Sequence, residues 1–183
     1  MIAMVQEGQV VSAYVGDVNT QEIYGFRPGS MNVHRITEFE TAERLAYVKG
    51  PLRAQTLLLR DPPEVYSEIS RRLLPFFKSY EIEGGSIGIS LARLWKREVA
   101  GVLLPPGGET PWDSTPIKGI SKRLGYLFLK PSDTSFGWQV WTSPLPKDVA
   151  LRDHNVLVIH REDYEALLSS FPGDLKKGEI ERG

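Results

Sequence analysis

A chain of 183 residues, 41% of them hydrophobic, can bury a substantial core, and it reads as a single domain over residues 1–172 followed by a charged tail, 173–183. Its 22 basic and 23 acidic side chains give a formal net charge of -1 and are spread along the chain, which excludes the basic footprint of a nonspecific nucleic-acid binder. The absence of cysteine excludes disulfides, thiolate metal sites and cysteine nucleophiles and agrees with a reducing cytoplasm. No run approaches the roughly 18 apolar residues of a membrane span, and no basic-then-apolar leader opens the chain.

The first elements are strands. Ile2 to Val5 and Gln9 to Val15 are apolar runs joined by Glu7-Gly8, a hairpin turn, and Gln21 to Phe26 follows the Asp17-Val18-Asn19-Thr20 turn. This predicts an antiparallel meander. Met31 to Phe39 fits no single period, whereas Leu45 to Val48 and Thr56 to Leu59 read as strands, the second central because it is apolar throughout. Asp61-Pro62-Pro63-Glu64 reads as a turn in which two prolines stop the strand. Val65, Ile69 and Leu73 have helical spacing, predicting a helix over 64–74, and Phe76 to Ile82 predicts a strand.

The second half alternates strand and helix. Ile87, Leu91, Leu94 and Trp95 mark an amphipathic helix over 86–97, Val99 to Leu104 a buried strand, and Pro105-Pro106-Gly107-Gly108 a loop that permits close backbone approach. Asp113 is placed to cap a helix over 114–124 that stops at Gly125. Tyr126 to Leu129 and Asn155 to Ile159 predict strands, 162–171 a short helix, and 131–153 a long surface excursion anchored by Trp138 and Trp141. The expected fold is α/β in mixed α+β layers. It pairs an antiparallel meander in the first half with a mostly parallel, helix-covered sheet in the second.

Chemistry concentrates in residues 85–125. The glycine-rich turn Gly84-Gly85-Ser86-Ile87-Gly88 opens one helix and Trp112-Asp113 another, and a helix N-terminus offers unpaired N–H groups and partial positive charge to an anion. The same turn also serves simply to pack a helix on a strand, and Asp113 also serves simply as a cap. His34, His154 and His160 form no ligand spacing, and Arg93, Lys96 and Arg97 read as a solvated helix face.

This order of elements, with Asp113 25 positions after Gly88, resembles the C-terminal half of the inositol monophosphatase superfamily, magnesium-dependent phosphatases of small phosphate monoesters. The resemblance implies Mg2+ as cofactor with Asp113 as a metal ligand. It implies substrate contacts at Gly85, Ser86, Gly88 and Ser90, with Glu109 as an approximate match to an acidic substrate-binding position. No catalytic residue carries over. The superfamily's Glu-Glu and Asp-Pro-x-Asp-Gly-Thr metal motifs are absent, so the missing carboxylates would come from a partner chain, another copy or upstream sequence. The implied ligand is a small phosphorylated metabolite, and the alternative is a noncatalytic binding or assembly module of the same fold.

Overall fold

The computed structural model describes residues 1–132, 137–142 and 144–170. Glu7 and Gly8 both adopt positive φ, 51° and 74°, the turn whose twist matches that of the strands it joins, β1 (Ile2–Gln6) and β2 (Gln9–Asp17). β3 (Glu22–Phe26), β4 (His34–Ile36) and β5 (Ala42–Arg44) complete a five-stranded antiparallel meander in sequential order. The ambiguous 31–39 segment thus supplies β4. Leu45 to Val48 is not a strand: after the Leu45 N–H donates to the Val33 carbonyl, the chain leaves the sheet. Tyr47 draws it away, its ring stacked 3.4 Å from that of His160 and its hydroxyl donating to Asp163 at 2.8 Å.

A second sheet contains β6 (Thr56–Leu59), β7 (Ser79–Ile82), β8 (Gly101–Leu104), β10 (Tyr126–Pro131), β11 (Trp138–Val140) and β13 (Val156–His160), in the order β11-β10-β13-β8-β6-β7. A small ribbon pairs β9 (Gly107–Glu109) with β12 (Ala150–Arg152). Only β6 with β7 and β6 with β8 run parallel, so the parallel part is three strands within a mixed sheet. Residues 131–153, expected as one excursion, contribute β11 and β12. Positions 133–136 and 143 of that stretch, Phe171 and the 173–183 tail lie outside the described residues.

Among the described residues four helices accompany the sheets: α1 (Glu68–Arg71), α2 (Ile87–Trp95), α3 (Pro111–Arg123) and α4 (Arg161–Ser170). The helix expected over 64–74 shrinks to the single turn α1, flanked by 3-10 turns at Pro63–Val65 and Leu74–Phe76. Tyr66 breaks it by taking an extended backbone and turning inward. Its hydroxyl accepts the N–H groups of Arg60 at 3.0 Å and Asp61 at 3.1 Å and donates to the Leu103 carbonyl at 3.0 Å.

The central strands are buried on both faces, which explains their unbroken apolar runs. Leu58, Val102 and Val158 point toward α2, α3 and the meander, while Leu57, Leu59, Leu103, Leu157 and Ile159 point toward Tyr66, Leu73, Phe77 and α4. α2 and α3 fill the space between the two sheets. Glycine permits the close approach: a Cβ on Gly119 would stand 2.6 Å from Val10 Cγ1, and one on Gly88 would stand 2.9 Å from Met1 Sδ. Trp95 Nε1–H donates to Ser121 Oγ at 3.0 Å and ties the two helices together.

The basic residues at the end of α2 are engaged rather than solvated. Arg93 pairs with Glu81, Glu83 and Glu98, Lys96 with Glu22 and Glu98, and Arg97 with Asp163 and the side chain of Gln55. A helix between two sheets has little free face, so its polar edge is drawn into ion pairs. Buried Glu22 accepts from Tyr24 and Arg35 as well as Lys96. Burial pushes its carboxyl up, but the Tyr24 hydroxyl, Arg35 and Lys96 together outweigh this and hold it down at about 2. A depressed carboxyl contributes stability that is present above its ordinary value and lost as pH falls toward the folded value. Acid titration followed by circular dichroism is therefore expected to show stability falling between pH 4.5 and about 2. Glu22→Gln should be less stable at neutral pH and flatter across that window.

Candidate functional site

The chain leaves β6 for β7 on one side and returns through α2 to β8 on the other. Such a reversal opens a crevice beyond the carboxyl ends of the parallel strands, where open α/β sheets bind ligands. A cavity of about 190 Å³ lies there. Arg60 from the end of β6 and Leu104 from the end of β8 form its base, and Gly85, Ser86 and Ile87 at the start of α2 form one wall. Opposite are the β9 residues Gly107 to Glu109 and the first turn of α3, with Thr110, Asp113 and Ser114, and Arg152 of β12 closes the side.

Both helices meet the cavity without a side-chain cap: neither the Ser86 nor the Thr110 side chain accepts a backbone N–H of its own helix. The positive dipole ends of a nine-residue and a thirteen-residue helix therefore converge on one space, although Pro111 has no N–H and the Asp113 N–H is turned to the Thr110 carbonyl at 3.2 Å. Asp113 is not the cap expected from sequence. Pro111, preorganised for the first helical position, starts α3 earlier, so Thr110 takes the cap position and Asp113 lies within the first turn. There its Oδ2 accepts the Thr110 hydroxyl at 2.8 Å.

Of the residues singled out from sequence, Gly85, Ser86, Glu109 and Asp113 are brought together around the cavity. Gly88 and Ser90 are not among its lining. Gly88 packs against Met1 and Val15, and Ser90 turns its hydroxyl back to the Ser86 carbonyl, both being buried in the packing around α2. His154 Nδ1–H donates to the Asp153 carboxylate and its ring stands edge-on to Trp141, His160 stacks on Tyr47, and His34 sits on β4.

Sequence reading missed three cations. Arg152 and Lys118 grip Glu109, with Arg152 Nη1 to Oε1 at 3.1 Å and Lys118 Nζ to Oε2 at 3.3 Å, all three side chains nearly buried. Arg152 also donates to the carbonyls of Pro105 and His154, and the Lys118 ammonium lies 4.5 Å from the centre of the Trp141 ring. Burial lowers the pKa of Arg152 while Glu109 opposes the shift, and the positive charge of Arg60 adds to the lowering. Burial likewise lowers that of Lys118 against the opposing pull of Glu109. The third cation, Arg60, lies beside the Asp61-Pro62-Pro63 turn, whose prolines are its only sequence marker.

The donor set does not complete a magnesium site. Magnesium calls for near-octahedral oxygen ligation, usually from one or two carboxylates plus substrate phosphate and water. Glu109 has both oxygens committed to cations, Asp113 is a single carboxylate, and among the described residues no group of three His, Cys, Asp or Glu side chains could hold a metal.

Comparison with solved structures places the fold. The chain superimposes on Mycobacterium tuberculosis SuhB with a TM-score of 0.63 at 16% identity, covering 91% of this chain and 60% of that one. It superimposes on staphylococcal IMPase-II bound to inositol monophosphate with a TM-score of 0.59 at 15% identity, covering 92% and 60%. With an IMPase/NADP phosphatase complexed with Mg2+ and phosphate the values are 0.61 and 15%, over 95% and 60%. The chain thus has the inositol monophosphatase fold over about 60% of the length of these neighbours. No family model and no curated protein matches the sequence.

Removing one member of a buried ionic group strands its partners. Glu109→Ala, which leaves Lys118 and Arg152 uncompensated, is expected to lower stability by about 3–5 kcal/mol in urea denaturation at neutral pH.

Proposed function

We propose that this chain is the substrate-binding portion of a phosphatase acting on small phosphate monoesters, of the inositol phosphate, sugar bisphosphate or nucleotide bisphosphate class. The observation that carries this reading is the meeting of two uncapped helix N-termini with Arg60 and Arg152 in one cavity at the carboxyl ends of β6 and β8. Backbone N–H groups and guanidinium forks are complementary to a phosphate dianion. Gly85 and Ser86 bring backbone to the ligand, and Asp113 is the carboxylate placed to share a magnesium ion with it. The remaining carboxylates come from a partner chain, a second copy or further sequence. The neighbours named above include one bound to inositol monophosphate and one bound to Mg2+ and phosphate, which supports the ligand class and the cofactor. Soluble phosphorylated metabolites fit a cytoplasmic setting.

The engagement of Glu109 by two cations favours a second reading, a noncatalytic module that binds such metabolites. Titration calorimetry with magnesium in the presence of phosphate separates the two. Under the phosphatase reading magnesium gives a heat that Asp113→Ala abolishes, and under the module reading magnesium is silent while the metabolite still binds. On the isolated chain, no phosphate release is expected from inositol phosphate, fructose bisphosphate or 3'-phosphoadenosine 5'-phosphate with magnesium. At about a hundred times its Kd, the correct ligand is expected to raise stability by about 2.7 kcal/mol, or roughly 5–10 °C in thermal midpoint. Absence of any shift across all three ligands would overturn both readings.

A further inference from the structure

Two arginines, Arg60 and Arg152, and two carboxylates, Glu109 and Asp113, line the cavity. Lys118 and Arg152 share Glu109, Asp113 accepts only a hydroxyl, and among the described residues the side chain of Arg60 has no ion-pair partner. Arg60 and Arg152 line the same void of about 190 Å³ and repel one another across it.

Two independent sets of contacts hold the arginines in that unfavourable arrangement. Arg152 is braced by Glu109 and by the carbonyls of Pro105 and His154. The backbone of Arg60 is pinned by the buried Tyr66 hydroxyl and by its own N–H bond to the Leu103 carbonyl. The Arg60 side chain projects from this fixed point and is itself exposed, so it is held at the cavity without being consumed by the fold. Like charges placed together in a small void are relieved by an anion between them, and guanidinium forks match phosphate oxygens in geometry.

We propose that Arg60 and Arg152 form a clamp that binds the phosphate group of the ligand without a divalent metal, Arg60 being the arm that determines specificity. This rests on the reading of the cavity as a site for phosphorylated metabolites and adds that binding precedes, and does not need, magnesium. The clamp also predicts selection for charge over ring: inorganic phosphate binds, and the unphosphorylated polyol does not.

The test is calorimetry on the full chain with inorganic phosphate, inositol 1-phosphate and inositol, each in EDTA and again with magnesium. The expected result is binding of both phosphates in EDTA and no binding of inositol. Arg60→Gln should raise Kd by roughly 10- to 100-fold, the loss of a charge-assisted hydrogen bond, with Arg60→Lys in between and an unchanged thermal midpoint for both variants. Binding that appears only with magnesium, or that survives Arg60→Gln undiminished, would overturn the clamp while leaving the metabolite site intact. Failure of both phosphates to bind under any condition would overturn the clamp together with the reading it rests on.

Discussion

Everything at the cavity depends on the wedging of α2 and α3 between two sheets. Glycine at 88 and 119 lets the helices come within contact of Met1, Val15 and Val10, and the Trp95 indole bonded to Ser121 locks one helix against the other. With the meander on one side and Leu58, Val102 and Val158 on the other, neither helix can tilt without opening core on both faces. Their N-termini are therefore delivered to the same end of the six-stranded sheet, beside the carboxyl ends of β6 and β8. The convergence of helix N-termini on the cavity is in this sense a packing result before it is an electrostatic one.

The charges then refine what packing presents. Glu109 lies on a two-stranded ribbon, and its carboxylate would be costly to bury there without Lys118 and Arg152. With them, the group is satisfied and the ribbon is fastened to α3. The same contacts engage both Glu109 oxygens, so the carboxylate helps hold the scaffold in place. Asp113 is different: half-buried, on the first turn of a helix, and engaged only by the neighbouring Thr110 hydroxyl. The two acidic residues look alike in sequence and have opposite duties in space.

How much of this was legible follows from the range of each interaction. The runs at 56–59, 99–104 and 155–159 were readable as strands because burial on both faces leaves an uninterrupted apolar signature, and α2 was readable from its spacing. The inositol monophosphatase fold and the nearness of Gly85 and Asp113 followed from that order of elements. The helix over 64–74 was misjudged because local spacing was right while Tyr66 had a stronger tertiary use for its hydroxyl. The start of α3 was available in Thr110-Pro111, since proline favours the first helical position, and was passed over for the more familiar aspartate cap. The Arg152 to Glu109 pair spans 43 residues and depends on the register that sets Arg152 against Gly107, for which single-sequence patterning holds no signal.

The same reasoning explains why a fold spanning about 60% of its solved neighbours can still present a defined site. The cavity is built from backbone ends and from cations braced within the described residues, and these need no further element to be in place. A magnesium site is less forgiving, because near-octahedral oxygen ligation at short, fixed distances calls for more than a single carboxylate. Binding and chemistry therefore separate along a physical line. Under the proposed reading, recognition of a phosphate rests on helix termini and guanidinium groups that this fold positions by itself, whereas hydrolysis requires ligands that Asp113 alone does not supply.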